Sequence, residues 1–187
     1  ACRFPFDTDF PIDDQYVRMM VLERIGSTYT SVSFLLANPK DQVELDLELE
    51  VSLVKERLID MAATHRIRLL PIKDVSPALL PSLFMDEIPK VLHFCGHGSI
   101  DDGILLTGEN NCSEIVSSDY LLTLIEASKG SINGVFLNCC YSSQIVSKLR
   151  NSVGWVVGME GQVPDKFSIE FSRSFYGAFV LTKDAYS

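Results

Sequence analysis

The chain has 187 residues, of which 47% are hydrophobic and 22% charged, and a formal net charge of -9. That length fits one domain with a full core, and the charge argues against nucleic acid bound directly, or an anionic membrane, as the main partner. No apolar run approaches the roughly 18 residues of a membrane span.

The opening Ala1-Cys2-Arg3-Phe4-Pro5 has no signal-peptide layout and reads as the cut edge of a longer protein. Residues 1–28 read as an N-terminal arm or linker. Asp13 or Asp14 would cap a short helix through Ile25, with Val17, Val21 and Arg24 on one side. Residues 29–187 read as one domain. Residues 30–37 are its first strand, ended by Asn38-Pro39. Val43 to Leu53 alternate with acidic residues, but Leu47, Val51, Val54, Leu58 and Met61 keep helical spacing over a longer range. A helix over 47–64 follows, with His65 as a surface or C-terminal capping residue.

Residues 67–72 are the second strand. Ser76-Pro77 starts a helix that Pro81 keeps short. Residues 88–94 form the third strand, emptying into Gly96-His97-Gly98. A polar loop, a short apolar run over 104–106 and a helix capped by Ser117 or Ser118 come next. Residues 132–138 are the fourth strand, and Ser142 or Ser143 begins a helix through about Arg150. Residues 153–158 are the fifth strand. Pro164-Asp165 opens the last helix, whose Phe167, Phe171, Phe175 and Phe179 recur every four residues as a core stripe. Alternating strands and helices predict an α/β fold with a mostly parallel sheet and helices on both faces.

Five cysteines, at 2, 95, 112, 139 and 140, form no disulfide framework. They predict free thiols and a reducing, cytoplasmic compartment. Two apolar runs end in reactive residues, one in His97 and the other in Cys139-Cys140. In one parallel sheet both would open on the same rim. The thiolate is the reactive form of cysteine, and an imidazole or a helix N-terminus favours it. The alternative fate of such cysteines is that of small buried hydrophobes. His93, Cys95 and His97, joined by Cys139 or Cys140, would be a zinc reading, but no Cys-x-x-Cys spacing supports it. Gly96-His97-Gly98 lacks the third glycine of a dinucleotide fingerprint, and no Walker-type motif occurs. The histidine precedes the cysteine by about 43 residues, near the caspase-type spacing of ~50.

The matching pieces run from Ser33-Phe34-Leu35-Leu36-Ala37-Asn38-Pro39-Lys40, through Leu45 and Leu47 to Glu50, then His93-Phe94-Cys95-Gly96-His97-Gly98. They continue in Leu137-Asn138-Cys139-Cys140-Tyr141-Ser142, Val156-Val157-Gly158-Met159, and Asp165 to Tyr176. Over about four-fifths of its length the chain resembles the CHAT domains, caspase-like cysteine peptidases of the separase–caspase clan. The resemblance implies a caspase-like three-layer sandwich and a His/Cys dyad that cleaves peptide bonds. His97 would be the general base and Cys140 the nucleophile. Gly98 and Cys140 would give backbone N–H groups to the oxyanion. Cys139 departs from the family, which usually has a small residue such as alanine there.

The loop after the fifth strand commonly forms part of the first substrate pocket in this clan. Here it carries Glu160, Gln162 and Asp165 and no cation. A basic or uncharged substrate side chain is therefore expected, rather than the aspartate that caspases take. No metal or organic cofactor is required. By resemblance the partners are a protein substrate and upstream sensor or recruiting domains, or a regulatory partner, with no membrane, in bacterial defence or programmed death. The rival reading is a catalytically inert interaction module of the same fold.

Overall fold

The computed structural model describes residues 17–21, 30–62, 67–85 and 88–184. Its centre is a sheet with three adjacent strands buried along their whole length. β4 (Val91–Cys95), β8 (Gly134–Asn138) and β9 (Trp155–Met159) are each buried at all five positions. Strands covered on both faces need unbroken apolar runs rather than alternation, which is what these segments supply. β2 (Thr30–Leu36) pairs in parallel with β4 and with β3 (Ile67–Ile72); β4 pairs in parallel with β8, and β8 with β9.

The six-stranded order places β1 (Val17–Val21) beside β9 at one edge and β3 at the other. β1 runs antiparallel to β9. This corrects the helix expected around Val17 and Val21. The backbone groups along the edge of β9 offer a ladder that outweighs a marginal local helical spacing. Asp13, Asp14, Arg24 and Ile25 lie outside the described residues, as does His65.

One face is covered by α1 (Leu47–Ala62) and α5 (Asp165–Asp184), whose Val54, Leu58, Phe171, Phe175 and Tyr176 pack against Val32, Phe34, Phe136 and Val157. The other is covered by α2 (Leu80–Leu83), α3 (Ser118–Ala127) and α4 (Ser143–Leu149), packed on Leu35, Leu92, Phe94, Leu137 and Val156. The architecture is the predicted α/β three-layer sandwich, and it is consistent with a caspase-like fold. Ser117 caps α3 by accepting the Tyr120 N–H, as expected from its position. Phe167 is 47% exposed, so it leaves the aromatic stripe that Phe171 and Phe175 keep; the Phe179 side chain is outside the described residues.

The region read as a polar loop after His97 is more ordered than its composition suggests. β5 (His97–Ser99), β6 (Gly103–Thr107) and β7 (Ser113–Ser117) form a small antiparallel sheet. His97 therefore belongs to a strand outside the central sheet.

Candidate active site

The chain adds β3 on one side of β2, then returns to place β4, β8 and β9 in succession on the other. The direction of winding thus reverses between β2 and β4, and open α/β sheets hold their sites at the carboxyl ends of strands beside such a reversal. The segments leaving β2, β4 and β8 carry Val43, His97 and Cys140 respectively.

The β2–α1 loop is fixed by its own side chains. Asn38 closes it, accepting the Leu45 N–H at 3.3 Å and donating to the Leu45 carbonyl at 3.1 Å. Asp41 ties it to β7, accepting from the Ser113 N–H at 2.8 Å and hydroxyl at 2.7 Å. That hydroxyl bond is the main cause of the lowered pKa of the Asp41 carboxyl. The loop so held presents the Val43 carbonyl to His97 Nε2 at 2.7 Å. A carbonyl only accepts, so Nε2 carries the proton and Nδ1 is left as the basic nitrogen.

Cys139 and Cys140 part company at the end of β8. Cys139 is 4% exposed in the layer of Val135, Leu137 and Ile145. Burial pushes its thiol far above the ordinary range and outweighs the lowering effect of the Ser142 hydroxyl beside it. Cys140 is half-buried, and its Sγ accepts the Val163 N–H at 3.4 Å. Tyr141 follows in the left-handed region, φ 57°, which costs a non-glycine residue about 1 kcal/mol, and its N–H donates to the Gly161 carbonyl at 3.2 Å. The loop after β9 is thereby held against the sulfur. Gly98 lies directly on the Cys140 backbone: a Cβ at Gly98 would stand 1.8 Å from the Cys140 carbonyl oxygen. Only glycine permits that approach.

The serine at the start of α4 does something other than cap. The Ser142 side chain makes no capping bond; its hydroxyl donates to the Cys139 carbonyl at 2.9 Å and accepts the Met159 N–H at 2.8 Å, joining the ends of β8 and β9. Among the candidate pocket residues, Glu160 is half-buried and Gln162 exposed. Asp165 opens α5, and its Oδ2 accepts the Asp46 N–H at 3.2 Å, at the start of α1.

Beneath this rim lies a buried polar cluster that the sequence reading passed over. Glu50 on α1 is 2% exposed, and its Oε1 accepts from Asn138 Nδ2 and from the Ser172 hydroxyl, each at 2.6 Å. His93 Nε2 lies 3.1 Å from the same oxygen, off the line of a hydrogen bond, and its Nδ1 meets the Tyr176 hydroxyl at 3.1 Å. The donor atoms of Glu50, His93 and Cys95 fall within 4.8 Å of one another, a spacing a metal ion can bridge. Glu50 Oε1 is already committed to two donors, however, and burial, then the Glu50 charge, keeps Cys95 a protonated thiol. Hydrogen bonds from Asn138 and Ser172 to Glu50 and between His93 and Tyr176 tie the cluster together. The residues of the alternative zinc reading are divided: Cys139 faces the opposite layer from His93 and Cys95, and His97 lies in a strand outside the central sheet. An acidic residue in helical register with Leu47, Val54 and Leu58 was the signal that could have drawn attention to Glu50.

The fold and the rim define an α/β protein of caspase-like architecture with a histidine strand and a cysteine turn packed together. No family model matches the chain. It is similar to a curated protein described as a Roc-COR-CHAT protease, from an unknown prokaryotic organism, with 26% identity over 102 residues. The match covers 51% of this chain and 10% of that protein. The match points to a CHAT-like relationship. Among the described residues, no helix is long and apolar enough to cross a membrane.

Proposed function

We propose that the chain is a cysteine endopeptidase domain in which His97 and Cys140 form the catalytic dyad. The observation that carries this reading is the contact of Gly98 with the Cys140 backbone, which sets the residue after His97 against the turn that bears the thiol. Two more observations support it. Cys140 is half-buried where Cys95 and Cys139 are enclosed, and the Val43 carbonyl leaves His97 Nδ1 free to take a proton.

In this mechanism Nδ1 removes the Cys140 proton and the sulfur attacks the scissile carbonyl. The Gly98 and Cys140 N–H groups hold the oxyanion, an effect worth about 3–4 kcal/mol per donor. The amine leaves with a proton from His97, and water then releases the acyl enzyme with His97 again as base. Glu160, Gln162 and Asp165 would favour a basic or uncharged side chain at the cleaved position, and a peptide profile dominated by aspartate would refute that part. The substrate is a protein, and the domain is the regulated, cytoplasmic effector of a larger chain in bacterial defence or cell death, under upstream sensor domains or a partner.

Limiting iodoacetamide should alkylate Cys140 first. Cys140→Ala and His97→Ala should each remove turnover of a peptide library, by roughly 10³-fold or more, while the fold persists. Turnover that survives Cys140→Ala would defeat the assignment of the nucleophile, and a wild-type protein with no turnover and no preferential Cys140 labelling would favour the inert interaction module.

A further inference from the structure

Every piece of chain that builds the rim meets one buried carboxylate. Glu50 Oε1 holds Asn138, two residues before Cys140. It holds Ser172 on α5, the helix that continues from the loop touching the Cys140 sulfur. His93, 3.1 Å away, sits on the strand that leads into His97. Glu50's own helix continues from the loop whose Val43 carbonyl receives His97 Nε2–H.

The register sharpens this. Cys95 and Asn138 are the last paired residues of β4 and β8. Past them the regular pairing ends: the Gly96 N–H reaches the Asn138 carbonyl at a long 3.4 Å, and Gly98 packs against the Cys140 backbone. The side chains of this last pair both turn toward Glu50. The carboxylate therefore braces the strand ends where the backbone ladder gives out.

We infer that Glu50 is a positioning residue, whose bonds to Asn138 and Ser172 set the strand ends that carry His97 and Cys140. The inference rests on the dyad reading given above. A misplacement near 1 Å between reacting groups costs on the order of 10²-fold in rate, and two hydrogen bonds among buried groups hold such a placement well. A carboxylate that is 2% exposed, beside His93 and Cys95, is a costly way to stabilise a fold. That cost makes sense where four segments must share one anchor.

The test is the second-order rate of Cys140 alkylation by iodoacetamide in the 187-residue chain, with the labelled site read by mass spectrometry. It is measured for Glu50→Ala, Glu50→Gln and Ser172→Ala, each with His97 present and with His97→Ala. With His97 present, Glu50→Ala should slow the reaction about tenfold. Glu50→Gln keeps an acceptor oxygen and should recover most of that loss, while Ser172→Ala should cost about threefold. In the His97→Ala background each change should fall below about twofold, because the histidine whose placement matters is gone. Should Glu50→Ala fail to fold, the other two variants decide.

Equal slowing in both backgrounds would mean a purely structural role and would overturn the inference, as would unchanged rates in folded variants. Stoichiometric zinc that is lost with Glu50→Ala would overturn it too, in favour of a metal site. If wild-type Cys140 is not the first thiol labelled, or His97→Ala leaves its rate unchanged, the dyad reading itself fails and takes this inference with it.

Discussion

The two faces of the central sheet are packed by different chemistry. Under α2, α3 and α4 the strands present Leu35, Leu92, Phe94, Val135, Leu137 and Val156, a layer whose work is burial. Under α1 and α5 the same strands alternate to Phe34, His93, Cys95, Phe136 and Asn138, and Glu50 and Tyr176 close over them. A buried apolar side chain gains from area alone, about 25 cal/mol per Å². A buried polar one must be satisfied atom by atom, which fixes direction as well as distance. The first face can therefore absorb small changes of shape, while the second transmits them to the rim. β8 spans the contrast at its end: Leu137 and Cys139 turn to the apolar layer, Asn138 to the polar one, and Cys140 to the rim.

The largest break in that comparison should come at the rim. Gly98→Ala would place a methyl group 1.8 Å from the Cys140 carbonyl oxygen, so β5 or the cysteine turn must move. Overpacking of this kind typically costs 1–3 kcal/mol, and here it displaces the reacting groups as well. Turnover and Cys140 alkylation should fall by about 10²-fold, with a lower melting temperature. A Gly98→Ala protein with normal melting and normal alkylation would show that the approach is dispensable.

Cys139→Ala probes the apolar layer one residue from the nucleophile. It removes a sulfur from a site enclosed by Leu137 and Ile145 and restores the small residue usual in the family the chain resembles. It should cost about 1 kcal/mol of stability, read as a lower denaturation midpoint. Turnover should stay within about threefold of wild type. A dead Cys139→Ala beside an active Cys140→Ala would reverse the assignment of the two thiols.

What the sequence made legible follows from the same contrast. Continuous apolar runs announced β2, β4, β8 and β9, because a strand buried on both faces leaves no other pattern. The reactive ends of β4 and β8 stood out because Gly96, His97 and the cysteine pair break those runs. The polar layer was illegible because Glu50, His93 and Asn138 are far apart in sequence and meet only across the fold. His93 alone reads as a core histidine, and Glu50 as one of several acids along an amphipathic helix. The backbone carbonyl of Val43 carries no residue signature at all. The β5–β6–β7 sheet was missed because its strands are short and interrupted by Asp101-Asp102-Gly103 and Glu109-Asn110-Asn111, which read as loop. At β1, the ladder along β9 overrode the helix read from the residues around Val17 and Val21.

The smallest effect should come from a tie at the edge of the apolar layer. Asp102, in the turn between β5 and β6 at φ 64°, accepts from the Ser118 hydroxyl at 2.6 Å and from Lys148 Nζ at 2.7 Å. It thereby joins the turn after His97 to the start of α3 and the last turn of α4. Burial alone raises the Asp102 pKa, but the hydrogen bonds from Lys148 and Ser118 together with the Lys148 charge outweigh it and leave it lowered. A carboxyl whose folded pKa lies below its unfolded value stabilises fully above that unfolded value, about 3.9 for aspartate, and loses the contribution as pH falls through the folded one. Asp102→Asn should therefore lower the melting temperature slightly at pH 7, and the gap to wild type should close as pH falls below about 4. Because the pair is partly exposed, raised salt should narrow the gap as well. A gap that holds constant from pH 7 to the acid limit would show that the tie acts through packing of the turn and not through charge.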